Sequence, residues 1–291
     1  MFGTYLDRLA ERSAATGTVL CLGLDPDPAT LPPGFAADIA GVEAFAGLLV
    51  EAAAPFAAAV KPNLAFFEAF GSQGLAALER LRARMPAGLP VVADVKRADI
   101  GSTAARQAAA LFDGLGVDAV TVNPYLGEEA IEPLISRVDR FAYVLCRTSN
   151  PGAGELQDLV VGPDSDLNAP AEPLHLRVAR RVARWGPGAT VGLVVGATAP
   201  AELAVVRGVA PGLAFLVPGV GAQGGDVAAV LDHGRAVAAP AGGGPGGGLL
   251  VNVSRGIAGA AIGRRPGASS DPAQAVADAA RDWALRLPVL P

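Results

Sequence analysis

The sequence has little cysteine, little histidine and no excess of positive charge, and each shortage excludes a class of protein. Two cysteines and two histidines occur among 291 residues, too few for a disulfide framework or for a zinc site built from these side chains. Cys21 and Cys146 lie inside apolar runs, so we expect buried thiols. The net charge of −5 is unlike that of a general nucleic-acid binder.

Long uninterrupted apolar runs are also missing. Hydrophobic residues make up 51% of the chain, which is enough for a sizeable core, but no run approaches the length of about 18 residues that predicts a transmembrane helix. Near the N-terminus, Asp7, Arg8, Glu11 and Arg12 stand where a signal peptide needs its apolar stretch. We therefore expect a cytoplasmic protein that binds neither membranes nor nucleic acid.

Eight short apolar runs alternate with helical patterns along the chain. They are rich in valine, leucine and alanine, as are parallel strands that are covered on both faces. This alternation predicts a single-domain (β/α)8 barrel over 1–291. A doubly wound sheet is the alternative, although no Gly-x-Gly-x-x-Gly follows the first run to support its dinucleotide-binding form. The predicted strands are 19–25, 56–63, 90–96, 119–124, 141–147, 190–198, 214–221 and 249–256, and the predicted helices are 41–55, 72–84, 102–114, 127–138, 172–185, 199–209, 224–234 and 272–286.

Two stretches interrupt this alternation. Residues 150–171 carry many turn formers and separate the fifth predicted strand from its helix, so we interpret them as an insertion. Residues 238–248 read AAPAGGGPGGG, a composition that predicts a flexible loop.

Polar residues interrupt the apolar runs mainly at their C-terminal ends. In a (β/α)8 barrel these ends meet at the face that carries the active site, so the pattern predicts one shared polar site there. Exposed loop charges are the alternative explanation. The residues are Asp25, Lys61, Asn63, Asp94, Lys96, Asn123, Arg147, Ser149, Thr198, Gln223, Ser254 and Arg255.

The densest group of charges follows the third predicted strand. Asp94 and Lys96 are two residues apart and therefore point to the same face of a strand. Lys61 supplies a second ammonium at the matching level, and Asp99 lies on the loop beyond. A row of alternating sign keeps each member ionised, because every charge has neighbours of opposite sign. A salt-bridge network that only closes the barrel mouth is the alternative.

Glycine is concentrated in the turn after the seventh predicted strand, 218–226 (PGVGAQGGD). Glycines let backbone N–H groups approach an anion, and a predicted helix begins just beyond, with the positive end of its dipole. After the eighth strand, Arg255 offers a guanidinium that matches phosphate oxygens. Barrels often bind phosphate with these two loops, so we expect Pro218, Gly219, Gln223 and Arg255 to bind substrate there. Tight turns without a ligand are the alternative.

These motifs, in this order, resemble those of orotidine 5′-phosphate decarboxylase. Their form is similar to that of a longer bacterial branch of the family, and the resemblance runs from about residue 17 to 263. The motifs are LGLD at 22–25, KPN at 61–63, Asp-x-Lys-x-x-Asp-Ile at 94–100 with Thr103, TSNPG at 148–152, PGVGAQGGD at 218–226 and SRG at 254–256.

The resemblance implies a carboxy-lyase that converts orotidine 5′-monophosphate to UMP in de novo pyrimidine synthesis, with no metal and no organic cofactor. It implies that Lys96 protonates C6 of the pyrimidine, that Asp94 lies beside the substrate carboxylate, and that Lys61 completes the charge row and reaches the ribose. It further implies that Asp25 binds a ribose hydroxyl, that Ser149 hydrogen-bonds the pyrimidine amide, and that Gln223 and Arg255 hold the phosphate. Asp99 and Thr103 are implied to reach the ribose side of the neighbouring subunit's site in a homodimer.

Three other functions remain open at this point. The first is a Mg²⁺-dependent sugar-phosphate decarboxylase or aldolase of the same barrel group, with Glu68 as a possible ligand, although the cation of Lys61 would repel the metal. The second is an enzyme that forms a Schiff base on Lys96 or Lys61. The third is a nucleotide-binding barrel without catalysis.

Overall fold

The computed structural model describes residues 3–221, 224–262 and 271–290. Within these residues eight parallel strands pair in the order β2-β1-β8-β7-β6-β5-β4-β3. Bridges between Val60 and Val91 and between Asn63 and Asp94 join β2 to β3 and close the ring. The predicted (β/α)8 barrel is thereby confirmed. The strands are β1 Leu20–Leu24, β2 Ala59–Pro62, β3 Val92–Arg97, β4 Ala119–Val122, β5 Phe141–Arg147, β6 Val191–Val195, β7 Ala214–Val217 and β8 Leu250–Val253.

Helices surround the ring, and most of them match the predicted ones. The predicted helix 127–138 is the exception, because only Glu132–Ile135 is α-helical there. Pro133 lies in this short helix and cannot donate a backbone hydrogen bond, so a helix cannot continue through it from the N-terminal side without distortion. The longer helices are α1 Tyr5–Thr16, α2 Ile39–Ala53, α3 Gly71–Arg84, α4 Gly101–Ala108, α5 Leu174–Val182, α6 Pro200–Val209, α7 Val227–Gly234 and α8 Pro272–Arg286.

The N-terminal helix α1 was not among the predicted elements. Thr4 and Asp7 cap it reciprocally, since the Asp7 N–H donates to Thr4 Oγ1 and the Thr4 N–H donates to Asp7 Oδ2 (3.2 and 2.7 Å). Tyr5 is fully buried, stacks on Phe141 at the start of β5 with ring centroids 4.8 Å apart, and hydrogen-bonds Tyr143. The helix therefore packs against the N-terminal end of the barrel, opposite the predicted site.

The two interrupting stretches are both folded. In 150–171, a short helix (Gly154–Gln157) leads into a two-residue strand, Val160–Val161, which pairs antiparallel with Glu172–Pro173. The glycine-rich tract 238–248 contains a 3₁₀ turn at Ala241–Gly243, and Gly246, Gly247 and Gly248 after it have positive φ. At Gly248, where φ is +65°, an added Cβ would lie 2.7 Å from the Cβ of Ala214, so the close approach of this tract to β7 requires glycine.

Apolar residues of the outer helices and the strands are buried in the core of the barrel. Ile39–Phe56 is long and apolar enough to cross a membrane by length and composition, but half of it is buried inside the protein, where α2 packs against α8, α3 and β1. Cys21 and Cys146 are buried free thiols, as predicted. Burial raises the pKa of each to about 12, so neither is a thiolate nucleophile at neutral pH.

Candidate active site

A cavity of about 480 Å³ opens at the C-terminal ends of the strands, where the sequence predicts a shared polar site. One side of its lining is charged and comes from β1 to β3 (Asp25, Lys61, Asp94 and Lys96). Leu145, Val194 and Leu216, from β5 to β7, make the opposite side apolar. The remaining lining residues are Asn63, Thr121, Thr148, Ser149, Asn150, Gln157, Pro218, Gly219, Val220, Asn252, Ser254, Arg255 and Gly256.

The charged side is an ion-paired row. Lys61 Nζ donates to Asp94 Oδ2 at 2.7 Å, and Lys96 Nζ donates to Asp94 Oδ1 at 2.5 Å. The side chains of Lys61 and Asp94 are 5% and 11% exposed, whereas Lys96 is 51% exposed at the cavity mouth. The predicted alternation of charge is therefore present for these three residues, with the carboxylate shared between two ammonium groups.

The pKa values of the buried pair move toward the ionised forms. Burial alone would raise the pKa of Asp94, but Lys61 and Lys96 outweigh it and lower that pKa well below its usual range. Burial alone would lower the pKa of Lys61, but Asp94 and then Asp25 outweigh it and raise that pKa. Both groups are thus charged at neutral pH, so each can attract or repel a charged group of a bound ligand.

The strand that carries Asp94 and Lys96 is less regular than the simple alternation of side chains predicts. Ala93 pairs with Val120 on β4 and Arg97 pairs with Val122, so the register shifts between them. Lys96 lies in this bulge with φ +48°, a left-handed conformation that is uncommon for a residue other than glycine. The predicted shared face is correct, but a β-bulge produces it, as bulges near active sites often do by redirecting a side chain.

The opposite end of the cavity offers groups for an anion. Gly219, with φ +103°, lines the cavity together with Pro218 and Arg255. Among the described residues, Arg255 has no salt-bridge partner, so its guanidinium is available to a ligand. Asp226 accepts hydrogen bonds from the N–H groups of Ala228 and Ala229. This carboxylate caps α7, so the free helix terminus expected near the phosphate is already occupied. Gln223 lies outside the described residues.

Asp25 and Ser149 line the cavity, as predicted. Asp25 Oδ1 is buried and has no hydrogen-bond partner among the described residues. Since a buried oxygen without a partner is costly, this atom is suited to accept a hydrogen bond from a ligand. Ser149 lies on the loop after β5, against Gly196, where an added Cβ would approach the Ser149 Cβ to 2.9 Å.

Asp99 and Thr103 do not line the cavity of their own chain. The Asp99 N–H donates to Ala130 O at 3.2 Å, and its carboxylate accepts from the Ile100 N–H at 2.8 Å. Thr103 is exposed in the first turn of α4. Ile100, next to Asp99 in the chain, is 72% exposed, and Tyr125, after β4, is 81% exposed, so both loops present apolar side chains outward.

Sequence reasoning missed several polar residues of the cavity. Thr121 on β4 and Asn252 on β8 each lie two residues before a polar residue that had been noted (Asn123 and Ser254), so a period of two could have found them. Gln157 comes from the insertion. Its amide accepts from the Thr148 N–H at 2.9 Å and donates to Thr148 Oγ1 at 2.8 Å, a contact that no local pattern indicates.

Glu68, the possible metal ligand, is engaged elsewhere. Its carboxylate forms a salt bridge with Arg97, and it is absent from the cavity lining. The carboxylate that does lie at the centre of the cavity, Asp94, is already shared by two lysines. Cations in these positions oppose the binding of Mg²⁺.

Comparison with known proteins places the chain in a family. Residues 18–267 match the Orotidine 5′-phosphate decarboxylase / HUMPS family. The orotidine 5′-phosphate decarboxylase of Thermomicrobium roseum is 46% identical over 256 residues, which is 87% of this chain and 86% of that protein. That of Bordetella petrii is 42% identical over 284 residues, 96% of each. The structure of Leishmania donovani OMP decarboxylase, 38% identical, superposes with a TM-score of 0.78 and covers 96% of this chain and 95% of that one. The chain belongs to this family.

Proposed function

We infer that this protein is a carboxy-lyase that converts orotidine 5′-monophosphate to UMP in pyrimidine biosynthesis. The observation that carries the inference is the ion-paired row of Lys61, Asp94 and Lys96 at one end of a barrel cavity that has Arg255 at its other end. Orotidine 5′-monophosphate carries a carboxylated base at one end and a phosphate at the other, and the two lysines and Arg255 supply positive charge for both groups.

The proposed reaction uses Lys96 as the proton donor. The bond between C6 and the carboxylate breaks, the electron pair stays on C6, and CO2 leaves. An ammonium fixed beside C6 stabilises the developing carbanion and then transfers its proton to that carbon. The amine of Lys96 is half exposed at the cavity mouth, so it can regain a proton from solvent after product release.

Asp94 and Lys61 act before the bond breaks in this proposal. Asp94 lies beside the substrate carboxylate and, since it stays ionised, repels it in the ground state. Its pairing with Lys61 keeps the carboxylate charged and in place, and Lys61 also reaches the ribose. Asp25 accepts a hydrogen bond from a ribose hydroxyl through its unpartnered Oδ1, and Ser149 binds the pyrimidine amide.

The phosphate end supplies binding energy. Arg255, Gln223 and the backbone beside Pro218 and Gly219 hold the phosphate in this proposal. Energy from such a remote group can be used to orient the reacting end and to close loops around it. The apolar side formed by Leu145, Val194 and Leu216 lies opposite the charges and suits the face of a planar base.

The complete site belongs to a homodimer in this proposal. Asp99 and Thr103, which do not line the cavity of their own chain, reach the ribose side of the partner's site. The exposed Ile100 next to Asp99 and the exposed Tyr125 after β4 are apolar surface that a second copy would cover. We place the enzyme in the cytoplasm, with no metal and no organic cofactor.

The test is turnover in the presence of a chelator. Purified protein with EDTA is given orotidine 5′-monophosphate, and the change in ultraviolet absorbance as the orotate ring loses its carboxylate is followed. We expect steady conversion to UMP. Turnover that EDTA abolishes and Mg²⁺ restores would instead favour the metal-dependent members of the barrel group. Binding of UMP without any conversion would favour a non-catalytic barrel.

A further inference from the structure

Thr121 on β4 occupies an unusual position opposite the bulge of β3. Because Ala93 pairs with Val120 and Arg97 with Val122, the three residues 94–96 face Thr121 alone. On the β4 side, the strand backbone therefore has no regular partner for the N–H groups of Val95 and Lys96. Asp94 bridges to Asn63 of β2 on the other side. Thr121 is 2% exposed, and its side chain supplies the missing partner for both N–H groups.

The hydroxyl of Thr121 makes three hydrogen bonds. Its oxygen accepts from the backbone N–H of Val95 at 2.9 Å and from that of Lys96 at 3.0 Å. Oγ1 is also 2.8 Å from Asp94 Oδ1. A hydroxyl carries one proton and two acceptor lone pairs. Since both lone pairs face N–H groups, the proton is left for the carboxylate, and Thr121 donates to Asp94.

We propose that Thr121 is a positioning residue that sets the geometry of Asp94 and Lys96 for the reaction. The proposal rests on the function proposed above. Thr121 holds the Lys96 backbone in its left-handed conformation by accepting its N–H. It also fixes one oxygen of Asp94, the oxygen to which Lys96 Nζ donates. One hydroxyl thus fixes both the backbone conformation from which the Lys96 side chain extends and the carboxylate oxygen that binds its Nζ.

Three variants separate this role from simple packing. Thr121→Val keeps the shape of the side chain but removes the hydroxyl. Thr121→Ser keeps the hydroxyl and removes the methyl group. The matched control is Thr190→Val, because Thr190 is also buried (1% exposed), lies immediately before β6 at the other end of the barrel, and has a hydroxyl oxygen without a partner among the described residues.

The readouts are kcat, KM, UMP affinity and melting temperature. We expect Thr121→Val to lower kcat at least tenfold, or about 1.4 kcal/mol in the barrier, while UMP affinity changes less than about threefold, because the lost contacts act on the transition state. Thr121→Ser should restore most of the kcat even where its melting temperature falls below that of wild type. Thr190→Val should keep the wild-type kcat. If Thr121→Val does not fold, Thr121→Ala carries the same expectation.

Two results would overturn the proposal. One is a Thr121→Val enzyme with more than about a tenth of the wild-type kcat, a barrier increase of less than about 1.4 kcal/mol. The other is a Thr121→Ser enzyme as impaired as Thr121→Val, because the methyl group would then be the part that matters.

A wild-type protein that does not convert orotidine 5′-monophosphate would refute the proposed function rather than the geometry. Crystal structures of wild type and Thr121→Val then decide: Lys96 leaving the left-handed region in the variant supports positioning by Thr121, and an unchanged backbone refutes it.

Discussion

Replacing Asp94 by asparagine removes one charge from the centre of the site and keeps the shape of the side chain. Lys61 would remain as a buried ammonium, 5% exposed, and would lose its hydrogen-bonded carboxylate, with Asp25 as the remaining carboxylate that raises its pKa. Loss of one partner of a buried pair costs about 3–5 kcal/mol of folding free energy. Since domains are stable by about 5–15 kcal/mol, Asp94→Asn should lose a large part of its stability at pH 7.

The stability lost in Asp94→Asn should depend on pH, and the direction in which the pKa of Asp94 is shifted decides whether the loss grows or shrinks as the pH falls. The pKa of Asp94 is lowered in the folded protein, so its contribution to stability is fully present above the unfolded value of about 4 and is lost as the pH falls below it. Asparagine does not titrate. The difference in stability between wild type and Asp94→Asn should therefore be largest at pH 5–7 and shrink toward pH 3.

Urea unfolding of both proteins at several pH values measures this difference. The matched control is Asp113→Asn, because Asp113 also pairs with a cationic side chain, that of Arg137, but is 57% exposed, where solvent screens the pair. Its stability should change little. A loss in Asp94→Asn below about 1 kcal/mol at pH 7, the range of surface pairs, or a loss that stays constant down to pH 3, would refute the reasoning.

Three further predictions concern activity. Lys96→Ala should lower kcat far more than tenfold, a barrier increase well above about 1.4 kcal/mol, while calorimetry still detects UMP binding; retention of a tenth of kcat would contradict the role of proton donor. Arg255→Ala should raise KM strongly for the nucleotide but leave turnover of orotidine, which lacks the phosphate, nearly unchanged; equal impairment of both substrates would remove Arg255 from the phosphate site. Lys96→Ala and Asp99→Ala homodimers should be nearly inactive, but mixing them with subunit exchange should restore about a quarter of wild-type activity, because half the dimers are mixed and one of their two sites is intact. No recovery after verified exchange would place Asp99 in its own chain's site.

The barrel could be predicted because its strands are buried on both faces. Such strands read as apolar runs, and in this chain a polar residue such as Asp25 or Lys61 marks the end of a run. The same rule located the cavity, since strand ends of a (β/α)8 barrel share one face. The helix α1 was missed although Thr4 and Asp7 form a capping box and Tyr5 and Leu9 are one turn apart, both of which are local signals.

Other features depend on contacts between distant segments. In the bulge at Lys96, the N–H groups of Val95 and Lys96 donate to the hydroxyl of Thr121 on β4, and nothing in 94–96 alone specifies that partner. Gln157 meets Thr148 only after the insertion folds back on itself. The capping of α7 by Asp226 is local and could have been anticipated, because aspartate is a preferred N-cap residue. It was overlooked in favour of the glycines before it.

The charge row also explains why Lys61 and Asp94 tolerate burial before any substrate is bound. Two ammonium groups and one carboxylate leave one net positive charge, and Asp94 lies between the lysines so that no two like charges are adjacent. In the proposed reaction the substrate carboxylate neutralises that charge as it enters, although it must approach Asp94. When CO2 leaves, the negative charge stays on C6, and proton transfer from Lys96 removes one charge of each sign together. In the proposed reaction, the cation that stabilises the carbanion is therefore also the acid that protonates it.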